Sequence, residues 1–272
     1  MRPYLFLLLS LATVGCSPLR FYSTPAKWEQ GIAFHPSKYP AGEWKPTTMI
    51  YQDAWFKSAD GTRLHGWFVP HSQPKATVLV LHGNAGNITQ LTESLTRLNK
   101  RHNVSLLAFD YRGYGRSDGT PSEDGLYDDA RAARAWLAEK NGIREKDVVL
   151  IGHELGGAVA AKLAGEDGAR GLVLVSTFTS LKAVGQRYLP LMPAGMLMKM
   201  KFDTVGSLKS YGGPLLVAHG DKDEVIPYSQ AIEILGAARG PKELVTIKGG
   251  KHATAPSEDY YDTLDRFLGQ LD

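Results

Sequence analysis

The chain has 272 residues, of which 43% are hydrophobic and 22% charged, and this length and composition fit one globular α/β domain with a substantial core. The net charge of +3 is small and the basic residues form no cluster, which argues against a nucleic-acid partner. Cys16 is the one cysteine of the sequence, so the chain cannot form an internal disulfide and is not expected to build a thiolate zinc site.

The first residues have the pattern of a bacterial secretory signal. Arg2 precedes an apolar run over residues 5–14, and Gly15 and Cys16 follow it. The run is much shorter than the roughly 20 residues that a membrane-spanning helix needs, so it indicates a cleaved signal. Cys16 lies where a lipobox cysteine would be acylated, although Thr13 replaces the commoner leucine. The alternative is an ordinary signal peptide with a chance cysteine.

Acylation of Cys16 would anchor the protein in the bacterial cell envelope, with residues 1–15 as the lipoprotein signal peptide. Ser17 stands where an aspartate would favour the inner membrane, so resemblance to Gram-negative lipoproteins predicts the outer membrane, facing the periplasm. Residues 16–48 contain five scattered prolines, which disfavour helix. They are predicted to form a tether and then a strap over the edge of a domain that spans residues 49–272.

From residue 49 onward the sequence alternates between short apolar runs and amphipathic segments. The predicted strands are 51–57, 63–70, 76–81, 104–109, the run that ends at Gly152, 172–176, 214–219 and 244–247. The predicted helices are 88–101, 122–140, the run after Glu154, 229–239 and a closing helix from residue 257. This alternation predicts an α/β fold with a mostly parallel, doubly wound sheet of about eight strands and helices on both faces.

Residues 148–160 have the pattern of a strand, a tight turn and a helix. A β-branched run ends at Gly152, one residue stands alone at the turn, and Gly156 and Gly157 open an alanine-rich helical run. The signature Gly-x-Ser-x-Gly has this form, and it presents a serine in a strained turn at the top of a parallel sheet. The glycines are needed because side chains there would clash with the turn and the helix. In this chain Glu154 occupies the serine position.

Five segments, in this order, resemble motifs of the α/β-hydrolase superfamily, and most closely its depalmitoylase-like and serine aminopeptidase-like branch. They are residues 82–87, 109–117, the elbow at 152–156, 219–223 and 250–252. The resemblance extends from about residue 21 to the C-terminus. It implies an α/β-hydrolase fold, a short lid at about 177–212, and relatives that hydrolyse ester, thioester or amide bonds, although a fold alone assigns no function.

The same resemblance implies the site residues. Asp223 would be the acid and His252 the base of a catalytic triad, in the chain order elbow, acid, base that this fold uses. Asp221 leaves the same strand end but is better suited to stiffening the loop. The backbone N–H groups of Asn84 and Leu155 would form the oxyanion hole.

Glu154 changes the chemistry expected at the nucleophile position. A serine gives its hydroxyl proton to the histidine while it attacks a carbonyl, whereas a glutamate at neutral pH has no such proton and reaches further into the substrate space. A carboxylate near His252 and the oxyanion-hole N–H groups would favour an ion pair that fills the site. Ser117 and Ser176 lie in or near the motifs, but neither is at an elbow, so a displaced nucleophile is not favoured.

Three functions fit this sequence. The first is a lipoprotein of the hydrolase family in which serine-type activity is impaired. The second is a non-catalytic pseudo-hydrolase that binds a lipid or a protein partner. The third is a hydrolase with a carboxylate nucleophile, as in dehalogenases and epoxide hydrolases, although Leu155 stands where dehalogenases usually place tryptophan.

The predicted lid is rich in methionine and leucine. Its apolar residues either pack a helix onto the domain or cover an acyl-chain pocket, since methionine surfaces adapt to flexible apolar ligands. The expected partners are an acyl-type small molecule or lipid and, through acylated Cys16, a membrane. We expect no nucleic acid, no cofactor and no metal.

Overall fold

The computed structural model describes residues 29–31, 33–188, 198–252 and 254–271. The predicted signal peptide, Cys16, most of the predicted tether and the central part of the predicted lid lie outside the described residues. Among the helices of the described ranges, none has the length and apolarity needed to cross a bilayer.

One mixed sheet of eight strands forms the centre of the described chain. The strands are β1 Gln52–Lys57, β2 Arg63–Val69, β3 Ala76–Leu81, β4 Val104–Asp110, β5 Val149–His153, β6 Gly171–Val175, β7 Leu215–Gly220 and β8 Lys242–Ile247. Their order across the sheet is β8-β7-β6-β5-β3-β4-β2-β1. Strands β3 to β8 pair in parallel, whereas β2 runs antiparallel to both β4 and β1. The predicted α/β fold with a mostly parallel sheet is confirmed.

Helices cover both faces of the sheet. They are α1 Thr92–His102, α2 Glu123–Asn141, α3 Leu155–Asp167, α4 Leu181–Tyr188, α5 Thr204–Leu208, α6 Tyr228–Ala237 and α7 Glu258–Gly269, with 3-10 turns at Ile88–Leu91 and Glu145–Asp147. The predicted helix at 88–101 therefore begins as a 3-10 turn. There the N–H of Ile88 donates to Asp110 and that of Thr89 to Asn87, so side chains bind the first amides.

Two apolar cores lie on the two sides of the sheet. On one side, α2, α3 and α6 pack on the sheet, and the stripe predicted for α2, Leu126, Ala130, Ala133 and Leu137, is buried. On the other side, α1 and α7 pack their apolar residues against alternate positions of the same strands. This double burial agrees with β3, which is buried along its whole length and apolar at every position but Thr77.

Residues 33–48, called the strap below, lie across the loops at the carboxyl edge of the sheet. The pair His35–Pro36 forms a short parallel pairing with Ala85–Gly86 in the loop after β3. Lys38 pairs with Gly115 in the loop after β4, and its Nζ donates to the carbonyl of Ser117 at 2.9 Å. The strap therefore holds together two loops that lie beside the elbow.

Candidate active site

The elbow has the strained geometry that its glycines indicate. Glu154 lies between β5 and α3 with φ 49° and ψ −114°, a conformation that is uncommon for a residue with a side chain. A Cβ atom at Gly152 would lie 2.4 Å from the carbonyl oxygen of Gly156, and one at Gly156 would lie 2.2 Å from that of Leu81. Both positions must therefore be glycine for α3 to start so close to the sheet.

The structure brings Glu154, His252 and Asp223 together at the carboxyl edge of the sheet. His252 Nε2 lies 3.1 Å from Glu154 Oε1, and His252 Nδ1 lies 2.9 Å from Asp223 Oδ2. The Asp223 side chain is fully buried, whereas 18% of the His252 side chain and 32% of the Glu154 side chain are exposed. The imidazole is therefore placed between two carboxylates, and the acid–base arrangement is that of a hydrolase triad with its hydroxyl replaced.

Asp223 is held in place by its own loop. Its Oδ1 accepts the backbone N–H groups of Val225 and Ile226 at 2.9 and 2.8 Å. His219, near the end of β7, has its Nε2 3.3 Å from Asp223 Oδ2 and 2.8 Å from the carbonyl oxygen of Ile226. Asp221, the rival for the acid, instead accepts the N–H of Gly249 at 2.7 Å, so it braces the neighbouring loop.

The charges of the site favour a protonated imidazole. Burial alone would lower the pKa of His252, but its hydrogen bonds to Asp223 and Glu154 and the two negative charges outweigh burial and raise that pKa from 6.5 to about 10. Burial opposes ionisation of Asp223 as well, yet the contacts from His219, His252 and the Ile226 N–H hold the pKa of this carboxyl below its usual range. At neutral pH the His252 cation therefore bridges two anions.

The predicted oxyanion-hole residues line the same cavity as Glu154 and His252. Asn84 and Leu155 both face this cavity, whose volume is about 100 Å³. The carbonyl of Asn84 accepts the N–H of His35 at 2.9 Å and the hydroxyl of Tyr114 at 2.7 Å, so the peptide that follows Asn84 is fixed by two donors. The Glu154 carboxylate also lies over this loop, since a Cβ at the preceding Gly83 would be 2.7 Å from its Oε2.

The rest of the cavity wall is apolar. It is formed by Ala33, Phe178, Leu181, Val184, Val225 and Ile226. Such a wall suits a small hydrocarbon group beside the polar cluster. No sequence pattern predicts Ala33 at this wall, because its contact depends on how the strap crosses the loops.

Other polar residues of the motifs have structural roles. Ser117 Oγ donates to the carbonyl of Asp110 at 2.5 Å and accepts the N–H of His65 at 3.0 Å, so this serine is a buried brace. Arg112 Nη2 lies 2.7 Å from Asp129 Oδ1, and this buried pair fixes the loop after β4 to α2. In the described ranges, no group of three or more His, Cys, Asp and Glu side chains could hold a metal ion.

A family model for serine aminopeptidase S33 matches residues 72–205. The uncharacterized protein YfhR of Salmonella typhimurium is 34% identical over 248 residues, which cover 84% of this chain and 84% of that protein. The α/β-hydrolase domain-containing protein WAV2 of Arabidopsis thaliana is 30% identical over 81% of this chain and 79% of its own length.

Among solved structures, the Pyrococcus furiosus esterase Pf2001 superposes with a TM-score of 0.73. The alignment covers 88% of this chain and 97% of the esterase, at 21% sequence identity. At that identity the likeness concerns the fold. The fold, the order of the site residues along the chain and the sequence relatives all indicate the same protein family.

Proposed function

The chain belongs to the α/β-hydrolase superfamily, and on that premise we propose that it is a lipid-anchored, esterase-like family member whose serine-type site is closed by the ion pair between Glu154 and His252. The observation that carries the proposal is the 3.1 Å separation of Glu154 Oε1 and His252 Nε2. In a serine hydrolase that nitrogen takes the proton of the attacking hydroxyl. Here it is engaged by a carboxylate that has no proton to give.

Three consequences of this contact oppose acyl transfer. A protonated His252 cannot act as a general base. The Glu154 carboxylate lies against the loop of Gly83 and Asn84, in the space where the oxyanion of a tetrahedral intermediate would be bound. An acyl group transferred to Glu154 would form an anhydride, which is uphill from an ester.

The ligand that suits the site is a small acyl-type molecule or lipid fragment. The cavity of about 100 Å³ has apolar walls on one side and the side chains of Glu154 and His252 on the other. A cavity of this size accepts a short hydrocarbon group. On this proposal the protein binds an acyl-type molecule through such a group and does not hydrolyse that molecule at the rate of a serine enzyme.

Ester hydrolysis by four matched proteins tests this proposal. With p-nitrophenyl acetate and butyrate, the wild type should not raise hydrolysis above the uncatalysed rate. Glu154→Ser should raise the rate of hydrolysis at least about 100-fold, because the acid, the base and the amides are in place. Adding His252→Ala to the serine variant should abolish the gain. Glu93→Ser, which removes a glutamate whose side chain is 91% exposed on α1, is the control and should leave the rate at background.

The proposal is wrong if the wild type hydrolyses these esters and His252→Ala stops it. An inactive Glu154→Ser variant that is folded would also contradict it, because the remaining machinery would then not be competent. Both outcomes are read in the same assay.

A carboxylate-nucleophile hydrolase is the second candidate, and it is favoured by the partial exposure of Glu154 to the cavity. In that reaction a Glu154 oxygen attacks an alkyl carbon, the leaving group departs with the bonding electrons, and an alkyl ester of Glu154 forms. His252, which has given its proton to the leaving group, then accepts a proton from a water molecule that adds to the ester carbonyl, and the alcohol is released. Turnover in ¹⁸O water would place label in the Glu154 carboxylate, which the first proposal does not allow.

A further inference from the structure

The start of the described chain holds residues 199–202, which belong to the second half of the predicted lid. Glu29 is 2% exposed, and its carboxylate accepts the backbone N–H groups of Lys199 and Met200. The carboxylate of Glu123 on α2 accepts the N–H groups of the next two residues, at 2.7 and 2.6 Å. Four successive amides of this segment are thus bound by two carboxylates, one of which comes from the N-terminal part of the chain.

Aromatic packing reinforces the same contact. Phe34 packs edge-on against Phe202, with ring centroids 6.1 Å apart, and Tyr127 of α2 packs against the same ring with centroids 5.8 Å apart. Met198 and Met200 are buried beside them. The N-terminal residues are therefore fixed to residues 198–202 by both hydrogen bonds and apolar contacts.

Ala33 lies between this contact and the oxyanion-hole loop. It is 2% exposed and faces the cavity that also contacts Glu154 and His252. Two residues further on, the N–H of His35 donates to the carbonyl of Asn84 at 2.9 Å. The chain is thus fixed on both sides of Ala33, at Glu29 and at His35, so Ala33 cannot easily withdraw from the cavity wall.

We propose that Ala33 is a specificity-determining residue of the candidate site, and that Glu29 is a positioning residue that holds it there. This deepens the proposed function and rests on it, since the cavity must be the ligand site. The small side chain leaves room for a short apolar group at the inner wall. Any larger residue would enter a cavity of about 100 Å³ and shorten the group that fits.

A thiol at the elbow measures this size limit without requiring hydrolysis. In the full-length chain, Cys16→Ala with Glu154→Cys leaves a single thiol, located at the nucleophile position. Methyl and hexyl methanethiosulfonate transfer an S-alkyl group to it, and the ratio of the hexyl to the methyl rate reports the space beside the elbow. A loss of stability alone would not change this ratio in a protein that stays folded.

Three further substitutions in that background test the proposal. Ala33→Leu should lower the hexyl-to-methyl ratio about tenfold or more, the discrimination that extra methylenes produce in an apolar pocket, and Ala33→Gly should raise the ratio. Ala41→Leu makes the same change at an exposed position of the strap and should leave the ratio unaltered. Glu29→Gln should raise the ratio, because one amide of residues 199–200 loses its acceptor and the wall loosens.

The proposal for Ala33 is overturned if folded Ala33→Leu and Ala33→Gly both keep the parent ratio. A ratio unchanged in Glu29→Gln, with only a lower melting temperature, would assign Glu29 a purely structural role and overturn the proposal for that residue. Because the thiol is labelled without turnover, failure of Glu154→Ser to hydrolyse esters would contradict the proposed function alone and leave this result readable.

Discussion

Glu154 Oε1 lies 3.1 Å from His252 Nε2, while His252 Nδ1 lies 2.9 Å from the buried carboxylate of Asp223. The imidazole is therefore engaged at both nitrogens. In a serine hydrolase the imidazole nitrogen that faces away from the acid, here Nε2 of His252, contacts a hydroxyl and exchanges a proton with it. Replacing this hydroxyl by a carboxylate turns a proton relay into an ion pair.

The ion pair should make stability fall with rising pH in the alkaline range. The pKa of His252 is raised from 6.5 to about 10 in the folded protein, so its contribution is fully present below pH 6.5 and is lost as the pH rises through 10. The slope contributed by this one group is at most about 1.4 kcal/mol per pH unit.

Urea unfolding between pH 6 and 9.5 measures this contribution by comparing the wild type with Glu154→Gln. The wild type should lose more stability over this range, since the variant keeps only one of the two carboxylates beside His252. Glu93→Gln serves as the exposed control and should follow the wild type. If the free energy of unfolding of the wild type and of Glu154→Gln changed with pH in parallel, the side chains of Glu154 and His252 would not be coupled.

Gly156→Ala should destabilise the protein by about 1–3 kcal/mol or more, because the added Cβ would meet backbone atoms that cannot move aside. It would lie 2.2 Å from the carbonyl oxygen of Leu81 and 2.4 Å from that of His82. Gly236→Ala is the matched control, since this helical glycine of α6 has nothing within 4 Å of the same atom. The control should instead gain about 0.5–1 kcal/mol in the free energy of unfolding. Equal effects of the two substitutions would contradict the close approach of α3 to β3.

The lipid anchor has its own test at Cys16. In a Gram-negative host grown with alkyne-palmitate, the wild type should be labelled and Cys16→Ala should not. Ser17→Asp should keep the label but move the protein from the outer to the inner membrane fraction, because aspartate after the cysteine favours retention there. Label that persists in Cys16→Ala, or a wild type without label, would leave the ordinary signal peptide as the better interpretation.

The parts of the fold and the site that depend on local pattern could be predicted from the sequence. Gly152 and Gly156 on either side of the turn indicated a sharp strand-to-helix junction, and Glu154 has the expected positive φ of 49°. The order of the elbow, Asp223 and His252 along the chain sufficed to expect them at one sheet edge, because loops that follow parallel strands meet there. The structure brings these three side chains within hydrogen-bonding distance.

The parts of the fold and the site that depend on contacts between distant segments could not be predicted from the sequence. Glu29 binds amides 170 residues away, and no periodicity or spacing links the two segments. The position of Ala33 at the cavity wall could not be predicted either, since an alanine in an irregular stretch is compatible with almost any environment. His219 lies in a motif used to recognise the fold, but its contact with Asp223 depends on how the loop after β7 turns back.

The protonation state of His252 tests the central claim most directly. Nitrogen-15 NMR of the imidazole over pH 5 to 11 gives its pKa in the wild type and in Glu154→Gln. We predict titration near 10 in the wild type and at a clearly lower pH in the variant, as expected if the carboxylate and the imidazole form an ion pair. Titration near 6.5 in both proteins would show that Glu154 does not engage His252, and the account of a closed site would be wrong.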